Sequence, residues 1–206
     1  EIYQGFREVC EPIFLSRGYS FLEKGIFPLV ENGDTKPEEL PLIPKERYQR
    51  MNQHFERTGE RGKYMMRATA STQVCIDFSS EEDALKKYRV LQKLSPILSL
   101  IAENQNGLGL AKDWKKHLFR NQIWRDVDSI RCGYFDGSVS TDYSFCAYAK
   151  YLDRHSAIQF RSSDTKETSE SGLGVSDIEH LISVFFPMVR LKKYIEYRAA
   201  DSMPIE

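Results

Sequence analysis

Between Met66 and Phe78, apolar and polar side chains alternate with almost no break. Arg67, Thr69, Ser71, Gln73, Cys75 and Asp77 fall on one side, and Ala68, Ala70, Thr72, Val74, Ile76 and Phe78 on the other. A period of two is that of a β-strand, so this stretch predicts a long antiparallel strand with one face on a core and the other toward solvent or a wet cleft. The polar side carries few Lys or Glu and several short hydrogen-bonding groups, which suits a cleft lining as well as open surface. A second alternation lies near the end of the chain: Tyr194, Glu196 and Arg198 point one way, Ile195 and Tyr197 the other.

Helical spacing accounts for most of the remainder. Ile2, Phe6, Val9, Ile13 and Phe14 predict a first helix, and Lys45 to Phe55 a second with Pro44 in its first turn. Ser79 and Glu82 form a capping box that opens a helix whose expected buried stripe is Leu85, Tyr88, Leu91, Leu94, Leu98 and Ile101. Pro96 should kink that helix or split it. Asp142 to Lys150 is a further helix, and Ser176 with Glu179 caps a last one that runs to Phe186 and is terminated by Pro187. Short strands are expected at Tyr19 to Leu22, Gly25 to Leu29 and Ala157 to Arg161. The proline-dense Glu31 to Pro44 reads as a surface crossing, and Asn104 to Asp113 and Ser162 to Gly174 as loops. Antiparallel-type strands joined by helices place the chain in the α+β class.

Composition narrows the function classes. With 206 residues, 41% of them hydrophobic, and a net charge of −1, the chain can bury a substantial core and lacks the signature of disorder. Near-neutral charge argues against a general nucleic-acid surface, whose affinity comes from many uncompensated Lys and Arg. No apolar run reaches the roughly 18 residues needed to cross a bilayer and no signal peptide opens the chain, so no membrane association and a cytoplasmic location are the expectations. Cys10, Cys75, Cys132 and Cys146 are scattered, with no metal-type or disulfide-type spacing, and the histidines form no catalytic triad with them. Gly107 and Gly109 make a G-x-G that follows a helix rather than a strand, the wrong geometry for a phosphate fingerprint. The chain opens inside a helical pattern, which reads as a piece of something longer.

The candidate chemistry sits in the last strand. A carboxylate and a guanidinium two residues apart on one strand face lie about 7 Å from each other. That spacing suits a metal nucleotide, the acid toward Mg²⁺ and the cation toward phosphate oxygens; it equally suits a weak exposed ion pair. Phe119 to Gly133 gathers Arg120, Trp124, Arg125, Asp126, Asp128 and Arg131. Such a set can clamp a carboxylate or stack on a base, or form a mixed-charge surface loop.

Three blocks, in order along the chain, carry a family resemblance: YMMRATASTQVCIDFSSEEDALKKYRVLQKLSPI from Tyr64, RNQIWRDVDSIRCG from Arg120 and FPMVRLKKYIEYRAADSMP from Phe186. Together they resemble glutamate-cysteine ligases of the plant and proteobacterial type. The resemblance implies a glutamine synthetase-like catalytic core: a curved antiparallel sheet flanked by helices, its polar concave face holding Mg²⁺ and ATP. Residues 1–206 would then be a single domain, part of a larger catalytic domain whose N-terminal strands lie outside it. The implied reaction joins the γ-carboxylate of glutamate to the amine of cysteine through γ-glutamyl phosphate, the first step of glutathione biosynthesis. A related ligase with a different amine acceptor, and a non-catalytic nucleotide- or amino-acid-binding module, are the alternatives.

The same resemblance suggests roles. Glu196 would be a metal-binding acid and catalytic residue, Arg198 the catalytic and nucleotide-binding arginine beside the transferred phosphoryl, and Lys192 a further phosphate contact. Gln73 would face the metal. Arg67, Arg120 and Arg131 would hold the carboxylates of glutamate, with Trp124 as a wall and Thr69 and Tyr194 as further substrate contacts. One departure stands out: the acid-rich G-x-E-x-E strand with which the family opens, and a following Gly-Gly and Glu segment, do not occur in this sequence. The expectation is that these residues alone lack ligase activity while the parent chain has it.

Overall fold

The computed structural model describes residues 2–104, 117–135, 137–155 and 175–204. In chain order these form α1 (Ile2–Leu15), α2 (Pro28–Glu31), a single 3₁₀ turn (Pro37–Glu39), α3 (Glu46–Thr58), α4 (Gly62–Ala68), β1 (Ser71–Ile76), α5 (Glu81–Ile101), α6 (Phe119–Arg125), β2 (Cys132–Gly133), α7 (Phe145–Arg154), α8 (Val175–Ser183), β3 (Phe186–Pro187), β4 (Val189–Leu191) and β5 (Ile195–Asp201). The class is α+β. Strands β1, β5 and β4 make an antiparallel sheet in that order, and β2 pairs in parallel with β3.

Strand β5 is the spine. Every residue of it is buried except Arg198, which is half-buried. Period-two alternation sends Ile195 and Tyr197 toward α5, where the Tyr197 hydroxyl lies 3.4 Å from Ser99 Oγ. Ile26, Phe55, Tyr88, Ile123, Phe185 and Ile195 are fully buried and anchor the core.

Helix α5 shows how local rules and packing share control. Its cap is Ser80, whose hydroxyl accepts from the Asp83 N–H at 3.1 Å while Asp83 accepts from the Ser79 N–H at 3.0 Å. The box therefore sits one residue later than the Ser79 and Glu82 expected, and Glu81, Glu82 and Asp83 place three acids where the helix dipole favours them. Pro96 does not split the helix, which is continuous from Glu81 to Ile101. The buried side is Ala84, Leu85, Tyr88, Gln92, Ser95 and Ser99. Small residues allow the sheet to approach closely, so the stripe is rotated away from the all-apolar one, and Leu94 and Ile101 are exposed.

Other elements depart from the pattern reading. The Met66–Phe78 strand is shorter: Met66 to Ala68 finish α4, and the strand itself is Ser71–Ile76. Among the described residues that strand is also an edge, and Val74, expected on a core, is 47% exposed. The strand expected at Gly25 to Leu29 reduces to a single bridge between Ile26 and Thr69, after which Pro28 opens α2; Tyr19 to Leu22 form no strand. The last helix ends at Ser183, three residues early, because Phe186 and Pro187 pair with Cys132 and Gly133. The Asp142–Lys150 helix runs instead over Phe145–Arg154, opened by a Ser144 hydroxyl that accepts from the Ala147 N–H. Helix α1 forms as expected, yet buries none of its residues. The expected Ala157–Arg161 strand, the Ser162–Gly174 loop and all but Asn104 of the Asn104–Asp113 loop lie outside the described residues.

Candidate active site

The segment from Val189 to Asp201 is a hairpin: β4, a bend at Lys192 to Tyr194, then β5. Arg190 and Glu196 are register partners across it, and Cys75 is the partner of Glu196 on the other side. Paired residues of an antiparallel ladder share a face. Arg190 accordingly reaches Glu196 Oε2 through Nε at 2.7 Å and Nη2 at 2.6 Å. Arg198, two residues along the same face, donates to the same oxygen at 3.0 Å.

A bulge sets the aim of Arg198. Val74 pairs with Tyr197 and Thr72 with Ala200, leaving Gln73 opposite both Arg198 and Ala199. Bulges re-aim side chains and commonly lie near functional sites. Here Arg198 Nη1 donates to Gln73 Oε1 at 3.1 Å. Lys192 completes the cluster: its Nζ donates to the Tyr194 hydroxyl at 2.8 Å and lies 3.7 Å from Glu196 Oε1.

Charge decides what this arrangement attracts. Three cations, Arg190, Lys192 and Arg198, surround one carboxylate, a local excess of two positive charges. Burial would raise the Glu196 carboxyl, but Arg190 and then Arg198 outweigh it and hold the group below its ordinary value. Burial, followed by repulsion from Arg190, draws Arg198 below the ordinary guanidinium value, with Glu196 opposing. The result is an ionised acid inside a cationic patch, an environment for phosphate or carboxylate oxygens.

Beside the patch is a recess of about 280 Å³, counting its open mouth, lined by Arg120, Trp124, Phe186, Pro187, Met188 and Arg198 among others. The Trp124 ring lies under two guanidiniums, Arg120 at 5.7 Å and Arg198 at 5.9 Å from its centroid. Arg120 is buried and spends its Nη1 on the carbonyls of Arg198, Ala199 and Ala200 at 3.3 to 3.4 Å, tying α6 to β5. Burial lowers it to about 10, which leaves it a cation at neutral pH.

Of the residues singled out from sequence, Gln73, Arg120, Trp124, Lys192, Tyr194, Glu196 and Arg198 come together. Tyr194 does so from the bend rather than from the strand. Arg67 and Thr69 do not, because they belong to α4 and its end rather than to a cleft-facing strand. Arg67 donates to the carbonyls of Glu38 and Leu40 at 3.0 and 2.9 Å and to Asn52, and the Thr69 hydroxyl donates to the Met65 carbonyl. Arg131 is buried and is held by other partners. It bonds Asp128 at 3.1 Å and the His155 carbonyl at 2.8 Å, with its guanidinium over the Phe185 ring, and Asp128 in turn meets His54 at 2.8 Å. Arg190 was missed in the sequence. Its signal would have been the turn at Lys192 to Tyr194, which pairs position 190 with 196.

The sequence model of glutamate-cysteine ligase family 2 matches residues 4–206. Among similar proteins are the chloroplastic glutamate-cysteine ligase A of Oryza sativa subsp. japonica, 30% identical, and the chloroplastic glutamate-cysteine ligase of Medicago truncatula, 31% identical; the matches cover 91% of this chain and 40% and 39% of the relatives. The chloroplastic enzyme of Arabidopsis thaliana is 30% identical over the same share of this chain and 38% of its own length. The chain therefore spans about two fifths of the relatives it matches. These chloroplastic relatives overturn the expectation of a cytoplasmic protein, which rested on the lack of a membrane-spanning run and of a signal. That test speaks only to spanning helices, and among the described residues no helix is long and apolar enough to cross a membrane. The three sequence blocks, the cationic hairpin built from the last of them and the match along nearly the whole length agree: this chain belongs to glutamate-cysteine ligase family 2.

Proposed function

We propose that the protein containing this chain joins the γ-carboxylate of glutamate to the amine of cysteine at the expense of ATP, through γ-glutamyl phosphate, as the first step of glutathione biosynthesis. In this reading the β1, β5 and β4 sheet is part of a glutamine synthetase-like funnel, and residues 1–206 are a single domain of a larger catalytic domain. The observation that carries it is the charge excess around Glu196 next to the Trp124 recess.

The donor set suits the phosphate half of a metal nucleotide: Arg198 and Lys192 offer N–H groups where anionic oxygens would otherwise repel one another. For Mg²⁺ the chain offers Glu196 Oε1, while Gln73 reaches the cluster through Arg198, to which its Oε1 is bonded. Among the described residues no three His, Cys, Asp or Glu gather into a metal-binding group, so a six-coordinate ion takes its other ligands from outside them. Bound MgATP would supply the phosphoryl group that activates the glutamate carboxyl. Trp124 forms a wall suited to glutamate, to which Arg120, its terminal N–H groups spent on β5 carbonyls, adds positive charge rather than a hydrogen bond, and Tyr194 keeps Lys192 turned toward Glu196. Positioning and charge neutralisation, rather than a general acid or base, are what these residues contribute.

A coupled ADP-release assay on the full-length protein tests the reading. ADP release that requires glutamate and cysteine is expected. Release with 2-aminobutyrate or another amine in place of cysteine would make it a related carboxylate-amine ligase, and nucleotide binding without release on any amine would make it a binding module.

A further inference from the structure

The Glu196 carboxylate is held by one oxygen only. Oε2 accepts Arg190 Nε at 2.7 Å, Arg190 Nη2 at 2.6 Å and Arg198 Nη1 at 3.0 Å. Among the described residues, Oε1 meets only Lys192, at 3.7 Å, beyond hydrogen-bonding distance. A half-turn only exchanges two equivalent oxygens, so what these contacts fix is the plane and direction of the group: turning it out of that plane would strain three charge-assisted contacts at once.

Arg190 is itself fixed. It is 8% exposed, it stands in register with Glu196, and its Nη1 donates to the Phe185 carbonyl at 3.2 Å. Its planar fork delivers two N–H groups to one oxygen while its third contact anchors it to the backbone. A lysine, with a single flexible ammonium, cannot reproduce that.

We infer that Arg190 is a positioning residue for the reaction: it fixes the orientation of the Glu196 carboxylate, so that one oxygen stays engaged and the other is left open toward the metal ion. The inference rests on the proposed function, in which Glu196 faces Mg²⁺. Groups that orient a ligating carboxylate without touching the metal are commonly worth about 10- to 100-fold in metal affinity.

The test uses full-length protein with Mn²⁺ as the probe ion, its binding followed by water-proton relaxation in the presence of a non-hydrolysable ATP analogue. Mg²⁺ dependence of ADP release and thermal unfolding are measured alongside. Arg190→Gln and Arg190→Lys are each expected to weaken Mn²⁺ binding about tenfold or more and to raise the Mg²⁺ needed for half-maximal rate in parallel, with KM for glutamate changed less than about threefold. Glu196→Gln is the reference. If it weakens Mn²⁺ binding and the folded Arg190 variants do not, the assignment of Arg190 is overturned while the metal-facing role of Glu196 stands. If Glu196→Gln leaves Mn²⁺ binding unchanged, the underlying reading fails and the inference with it. Unfolding of both Arg190 variants would make the residue a structural strut and overturn the assignment.

Discussion

Arg198 and Gln73, 125 positions apart in sequence, are joined by a 3.1 Å hydrogen bond across the bulge that separates β5 from its edge neighbour. The bond is exposed, so it contributes little to folding, and its consequence is for the aim of Arg198. Gln73→Ala should leave the unfolding midpoint nearly unchanged and lower kcat/KM of the full-length ligase by about tenfold, the lower end of what one hydrogen bond to a charged group is worth. A drop in thermal stability with unchanged kinetics would contradict this.

Arg198 itself should matter far more. It is the cation that joins Glu196, Gln73 and the Trp124 ring. If it meets charge that develops on the transferred phosphoryl, Arg198→Ala loses about 100-fold or more in kcat, and Arg198→Lys recovers only part. Steady-state kinetics at saturating ATP and glutamate measure this; a change confined to KM would place the residue in ground-state binding alone.

Acid should weaken the fold through Asp128. Burial raises this carboxyl, but the hydrogen bond from His54 and the charge of Arg131 outweigh it and hold the group below its ordinary value. A depressed carboxyl contributes stability that is complete above the unfolded value near pH 4 and is lost as pH falls through the lowered folded value. Asp128→Ala leaves Arg131 buried without its partner, a loss of about 3–5 kcal/mol. Unfolding midpoints between pH 7 and pH 3 should therefore fall more steeply for the wild type than for Asp128→Asn.

Gly59 follows the end of α3 where the chain passes the loop after α6. A Cβ there would clash with the Asp126 carbonyl oxygen, a backbone atom that cannot swing aside. Gly59→Ala should cost about 1–3 kcal/mol of stability, read by chemical denaturation. An unaltered midpoint would show that the two segments separate readily.

A protein made of these 206 residues alone should bind nucleotide weakly and release no ADP with glutamate and cysteine, because its described residues gather too few acids for a metal site. Circular dichroism would confirm that it is folded before the assay. Turnover at the rate of the full-length enzyme would refute the proposal that further metal ligands lie elsewhere.

Amphipathic period alone located α1, α3 and α5 to within a few residues, since a helix reports its 3.6 repeat locally. It also located Glu196 and Arg198 on one face of β5. It overextended β1, because alternating letters at Met66 to Ala68 are compatible with the end of a short helix as well as with a strand, and only the packing of α4 on α3 and α6 distinguishes them.

Register and desolvation were beyond the reach of pattern. Arg190 opposes Glu196 because a bend at Lys192 to Tyr194 folds the chain back, and strand pairing is a contact between distant positions that no local period encodes. Arg67, Arg120 and Arg131 look alike in sequence, but one lies against loop carbonyls, one braces β5 beside the recess and one is locked to Asp128. The chain by itself determined which side chains could carry charge and which faces could be buried. The tertiary structure decided which charges lost their water and gained partners, because burial and pairing depend on what the rest of the molecule brings within a few ångströms.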